Sequence, residues 1–147
     1  MTIISTQYAS GIVNATEKAA IAASKLIGLG DEKAADQVAV DAMRTALNDI
    51  DFKGRIVIGE GERDEAPMLY IGEQLGTLNG PEFDIAVDPL EGTKFTANNE
   101  PNAFSVLSAE NDSKQYANPF KYSLNFLTLL DIHASGSKFL LFLYSCK

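Results

Sequence analysis

Hydrophobic positions recur with helical spacing up to about residue 50 and with strand-like density beyond it. Asn14, followed three residues later by Glu17, is a capping pair for a helix through Ala19, Ala22, Leu26 and Ile27, which Gly28 and Gly30 would end. Asp31 then serves as the N-cap of a second helix running to about Asn48, with Val40, Met43, Leu47 and Ile50 on one stripe. Arg55 to Gly59 has the β-branched density of a buried strand and runs straight into Glu60, Glu62, Asp64 and Glu65. Pro67 suits the first turn of a third helix, in which Leu69, Tyr70 and Leu75 would pack before Gly76 stops it. Phe83 to Val87 is a second strand ending in an acid-bearing turn, Asp88-Pro-Leu-Glu-Gly-Thr93, and Ala103 to Ser108 is a third. Helices and strands are mixed without regular βαβ alternation, so the pattern predicts an α+β fold.

One residue breaks the second helix's pattern. At about 100° per residue, Asp36 points within about 40° of the centre of the apolar stripe, where a bare carboxylate is costly to bury. Two readings stand open: the carboxylate reaches solvent or a backbone amide near the helix start, or it is a metal ligand at the edge of the core.

Beyond about Glu110 the texture changes. Asn111 to Phe120 is polar, and Leu124 to Lys147 is a Leu/Phe-rich run with the lone His133. Such a tail is either a packed terminal strand pair or sequence with no native place in the fold. The chain thus divides into a front part, residues 1–109, and a divergent tail, 110–147.

Composition narrows the function. With 46% hydrophobic and 22% charged positions in 147 residues, the chain is an ordinary globular protein. A formal net charge of −8 disfavours nucleic acid or an anionic membrane as partner. It would also repel a phosphate ester, unless carboxylates first gather divalent cations that reverse the local field. The single cysteine, Cys146, leaves no internal disulfide, residues 1–10 lack a secretory pattern, and the run Phe139 to Tyr144 is too short to span a bilayer. A reducing cytoplasm is the expected location, with a plastid as the alternative in a photosynthetic eukaryote.

Three segments present carboxylates where the chain leaves a regular element: Asp36, the Glu60 to Glu65 group, and the pair Asp88 and Glu91. Hard divalent cations take such oxygen ligands. If the two strands are parallel neighbours, their acidic ends meet at one sheet edge. Pro89 would turn the chain so that Asp88 and Glu91 face one cavity, and Gly92 and Thr93 could offer amides and a hydroxyl to a phosphate. Taken singly, each segment also reads as a plain turn or a solvated, helix-capping acidic loop.

Together the residues are more specific. Gly54-Arg-Ile-Val-Ile-Gly-Glu-Gly-Glu-Arg-Asp-Glu-Ala-Pro-Met-Leu-Tyr-Ile-Gly72 and Asp84-Ile-Ala-Val-Asp-Pro-Leu-Glu-Gly-Thr93 resemble the GlpX-type, class II fructose-1,6-bisphosphatases, including the cyanobacterial fructose/sedoheptulose bisphosphatases. The resemblance runs from about Ile12 to Leu107 and then fades, with Pro119 and Tyr122 keeping the spacing of a substrate-contacting segment. It implies the layered αβ sandwich of the lithium-sensitive, metal-dependent phosphatases. It implies that Asp36 and Glu60 bind one Mn²⁺ or Mg²⁺, that Asp88 and Glu91 bind another, and that Glu91, Gly92 and Thr93 contact the phosphate. Asp64 would help activate the attacking water, and Tyr122 would touch the sugar. Family members carry a lysine directly after the Gly-Asp that precedes the second helix; here Glu32 stands there and Lys33 follows.

The implied reaction is metal-dependent hydrolysis of the C1 phosphate of fructose 1,6-bisphosphate or sedoheptulose 1,7-bisphosphate, carried out in full-length members by homo-oligomers. Those members continue well past this length and draw a further metal-binding glutamate and substrate contacts from the additional part. The expectation is therefore a truncated chain of very low activity. Rival readings are another phosphomonoesterase of the superfamily, such as an inositol monophosphatase, and a non-catalytic metal-binding or regulatory fragment.

Overall fold

The computed structural model describes residues 6–60, 68–110, 131–134 and 137–144, the last two stretches as backbone only. Among the described residues the elements in chain order are α1 (Thr6–Ser24), α2 (Glu32–Asn48), β1 (Lys53–Ile58), β2 (Gln74–Leu75), β3 (Glu82–Glu91), α3 (Thr93–Ala97), β4 (Phe104–Glu110), β5 (Asp131–Ala134) and β6 (Ser137–Tyr144). The strands form one mixed sheet in the order β2-β1-β3-β4-β6-β5. β1 runs parallel to β3, and β4 parallel to β6; the other neighbours are antiparallel. A mixed sheet with its long helices packed on it is an α+β arrangement.

Both long helices form for reasons written in their own residues. α1 buries Ile12, Ala15, Thr16, Ala19, Ala20 and Ala23, a stripe at helical spacing dominated by alanine. α2 answers with Ala35, Ala39 and Ala46 beside Val40, Met43 and Leu47. Small side chains on both surfaces let the helices lie close together, and this pair packs against the sheet, α1 over β3 and β4 and α2 over β3 and β2. Phe52, Ile56, Phe83, Ile85, Val87 and Leu107 meet them in the core, where the Phe83 ring lies 5.4 Å from Tyr8 and 5.6 Å from Phe52.

The start of α2 is as expected: Asp31 is extended at φ −113°, and its carboxylate accepts from the Ala34 amide at 2.9 Å. α1 differs. It starts no later than Thr6 and passes straight through Asn14 and Glu17, so that pair lies mid-helix rather than at a cap, and the helix closes at Ser24, before Leu26.

The expected third helix is absent from residues 68–76, which form turns and the short strand β2 paired to β1 through Gly54 and Arg55. Gly72 and Gly76 sit at φ +91° and +88°, conformations a right-handed helix cannot hold. The strand at Phe83 likewise does not end at Val87. It continues through Asp88-Pro-Leu to Glu91, and the turn anticipated at Pro89 is a bulge within β3. Backbone pairing of β5 with β6 gives the tail a terminal strand pair, with β6 alongside β4.

Candidate acidic site at the sheet edge

Two bulges determine which acids meet. On β3, Asp88 pairs with Val106 but Glu91 pairs with Phe104, so β3 carries one residue more than its partner across this step. A strand in its interior asks each residue for an amide, and Pro89 has none; the bulge takes it out of the ladder. The extra residue also reverses the alternation of faces. Val87 and Leu90, three apart, are both in the core, and Asp88 and Glu91, three apart, lie together within side-chain hydrogen-bonding reach. On β1, Ile56 pairs with Ile85 but Ile58 with Ala86, again one residue extra. Ile58 is accordingly turned out of the core at 43% exposure, and Glu60, two residues on, shares its phase.

Because β1 and β3 are parallel neighbours, Glu60 and Asp88 emerge at the same end of the sheet, where α2 brings Asp36. Asp36, Glu60 and Asp88 are each half-buried, and Asp36 Oδ1, Glu60 Oε2 and Asp88 Oδ1 are buried oxygens with no hydrogen-bond partner. Glu91 is exposed at the rim. Burial raises the Asp36 carboxyl above the usual carboxylate range. Burial also raises Glu60, helped by the charges of Asp36 and Glu91 and opposed by a hydrogen bond with Asp88. Asp88 is pushed up to about 8, first by burial and then by hydrogen bonds and charges of Glu91 and Glu60. The charges acting on Glu60 and Asp88 are those of other carboxylates.

A cluster of acids with orphaned buried oxygens fits a hard divalent cation, which would take those oxygens as ligands and remove their mutual repulsion. Among the described residues no three Asp, Glu, His or Cys side chains converge on a single point as a ready cage.

Beyond Glu91 the chain turns at Gly92, which adopts φ +85° and ψ +46° and begins α3. A side chain there would meet Phe95 Cδ2 at 2.7 Å, so the position is restricted to glycine by both conformation and space. The Phe95 and Thr96 amides donate to the Gly92 carbonyl at 2.9 and 3.2 Å, while the Thr93 and Lys94 amides precede any carbonyl of the helix that could accept from them. The backbone amides of Gly28 and Gly30 donate to Thr96 and Ala97 at 3.0 and 2.9 Å, tying the loop before α2 to α3. Asp64 and Tyr122 lie outside the described residues.

Sequence reasoning missed how the acid loop is held. Its two limbs meet where the Glu60 amide donates to the Leu69 carbonyl at 3.0 Å. From α2, Arg44 donates to the Met68 carbonyl at 2.7 Å and to Glu73 at 2.7 and 3.3 Å. Arg44 and Glu73 are 29 positions apart, and no local pattern links them.

The fold and the site define an α+β protein whose parallel strands deliver carboxylates to one sheet edge, a design suited to cation-assisted binding of an anionic ligand. The chain belongs to the family described as bacterial fructose-1,6-bisphosphatase, glpX-encoded, whose profile matches residues 6–125. It is 53% identical over 111 residues to the D-fructose 1,6-bisphosphatase class 2/sedoheptulose 1,7-bisphosphatase of Prochlorococcus marinus strain MIT 9515, covering 76% of this chain and 33% of that protein. The protein of the same description from strain MIT 9303 is 56% identical over 98 residues, covering 67% of this chain and 29% of the relative. The matched part is thus about a third of the length of these relatives. No helix among the described residues is long and apolar enough to cross a membrane.

Proposed function

We propose that this chain carries the metal- and phosphate-binding part of a divalent-metal-dependent sugar-bisphosphate phosphatase of the layered αβ, lithium-sensitive superfamily. The reaction of the complete architecture is hydrolysis of the C1 phosphate of fructose 1,6-bisphosphate or sedoheptulose 1,7-bisphosphate. The observation that carries the reading is the meeting of Asp36, Glu60, Asp88 and Glu91, from three separate segments, with three buried carboxylate oxygens lacking partners.

In this reading Asp36 and Glu60 hold one Mn²⁺ or Mg²⁺, and Asp88 and Glu91 hold another. When bound, such ions supply neutralisation of the phosphoryl oxygens and a lowered pKa for the attacking water. The chain's own residues do the rest. Gly92, lacking a side chain, lets the phosphate approach the backbone, and the Thr93 amide and hydroxyl donate to its oxygens. Glu91, at the rim, orients the same group. Asp64 accepts a proton from the water, and Tyr122 contacts the sugar; both roles rest on the family resemblance.

Phosphate release from fructose 1,6-bisphosphate with Mn²⁺ or Mg²⁺, measured beside Mn²⁺ binding, tests this. Absence of metal binding would sink the reading outright. Release abolished by Asp88→Ala would show that this part alone suffices for turnover. The one-third coverage of the relatives favours a second reading, in which the chain binds metal without turnover. Loss of one of two binding steps in Asp88→Ala, with no phosphate released by either chain, is the result that reading expects.

A further inference from the structure

Just past β1, Glu60 meets Leu69 at a narrow neck. The neck is as tight as two backbones allow: a Cβ on Gly59 would lie 2.2 Å from the Leu69 carbonyl oxygen. Leu69 itself is fully buried. The returning limb is attached to the sheet as well, the Gly72 amide donating to Ile56 at 2.8 Å and the Ile56 amide to Glu73 at 3.0 Å.

Arg44 closes this assembly from the helix side. Its guanidinium reaches the Met68 carbonyl and both oxygens of Glu73, and Glu73 in turn accepts from the Tyr70 amide at 3.3 Å. Both partners are largely withdrawn from water, with side-chain exposures of 24% and 12%, so the pair is stiffer than a surface ion pair. The forked geometry is one that a lysine ammonium does not reproduce. The same helix that carries Arg44 also carries Asp36.

We propose that Arg44 is a positioning residue for the cation site: by clamping the neck of the Glu60 loop to α2, it sets the spacing between Asp36 and Glu60. The inference rests on the metal-binding reading above and adds to it the device that holds two acids, delivered by a helix and a strand, at one separation. Asp88 and Glu91, on β3, are outside the clamp. Loss of Arg44 therefore acts first on the Asp36/Glu60 ion and reaches the other only through Glu60's contact with Asp88.

The experiment is a calorimetric Mn²⁺ titration of the full chain and of Arg44→Met, Arg44→Lys and Glu73→Gln, with hydrogen exchange at the Glu60 amide followed in parallel. Glu73→Gln preserves shape and serves should the arginine variants fold poorly. The expected result is that one binding step weakens by about tenfold to a hundredfold, as for other groups that orient metal ligands, while the second step changes clearly less. Exchange at Glu60 should rise in the same variants, and Arg44→Lys should recover only part of the loss. Two binding steps unchanged, both weakened alike, or unaltered Glu60 exchange would overturn the proposal. A wild-type chain that binds no Mn²⁺ would instead overturn the metal-binding reading beneath it.

Discussion

Glu60 lies just past the end of β1 and Asp88 inside the neighbouring parallel strand β3, with their carboxyl groups within hydrogen-bonding reach of each other. One extra residue on β1 before Glu60, and one on β3 between Asp88 and Glu91, set which acids share a face here. The arrangement stores repulsion that a cation or a proton relieves, and its behaviour with pH follows.

In the metal-free chain Asp88 titrates at about 8 when folded, against 3.8 for the unperturbed group. The folded state keeps a proton there that the unfolded chain releases, so stability is lost as pH rises through that window. The raised carboxyls of Asp36 and Glu60 act with the same sign. In chelator the thermal midpoint should fall between about pH 5 and about pH 8, and Asp88→Asn should flatten the fall. Since Asp88 keeps some solvent contact, the gain from that substitution at about pH 8 should be only ~1–2 kcal/mol, a few degrees in midpoint. Parallel wild-type and variant profiles would show that Asp88 does not titrate in this range.

Divalent cation should reverse the penalty. At about a hundredfold excess over its dissociation constant, Mn²⁺ at one site should stabilise the wild-type chain by ~2.7 kcal/mol, and the total response should be smaller in Asp88→Asn, which keeps only the Asp36/Glu60 pair. Differential scanning calorimetry at about pH 8, with and without Mn²⁺, reads this directly; an equal rise in the variant would detach the effect from the acidic site.

Gly59→Ala should destabilise by ~2–3 kcal/mol. The new methyl would meet the Leu69 carbonyl oxygen at 2.2 Å and Ile56 Cγ2 at 2.8 Å, and a backbone oxygen cannot swing away. Gly72→Ala is the useful contrast, since nothing lies within 4 Å and only its φ of +91° opposes a side chain, for ~1 kcal/mol. Urea midpoints of the two variants should rank in that order.

Asp31→Ala removes the cap whose carboxylate accepts from Ala34, and should cost about 1 kcal/mol. Equilibrium unfolding measures it. The acid cluster should keep its Mn²⁺ affinity within about twofold, because the cap lies more than a helical turn before Asp36; a larger loss would mean that the start of α2 is set by its cap rather than by packing against α1.

Much of the frame was legible in local residues. The Asp31 cap and the stripe of Val40, Met43 and Leu47 specify α2, because capping and amphipathic spacing act within a turn or two of helix. The density of β-branched residues in Arg55 to Gly59 and the run from Phe83 mark two central strands for the same reason. Misreadings arose where local preference met a tertiary constraint. Pro67, Leu69 and Tyr70 look helical, but glycines at positive φ and the hold of Arg44 on Met68 and Glu73 bend residues 68–73 back toward β1. Asn14 and Glu17 look like a cap, yet the alanine-rich stripe against α2 carries the helix through them.

By itself the sequence determined which acids are available and that they flank or interrupt apolar segments, since these are properties of composition and of period; that Asp88 would lie inside a strand it did not show. It did not determine that they meet. That was decided by the parallel pairing of β1 with β3, by one extra residue on each strand that reverses its alternation of faces, and by a helix laid over their ends. Register and bulges are relations between strands, and the energies that choose them are felt only once both strands are in place.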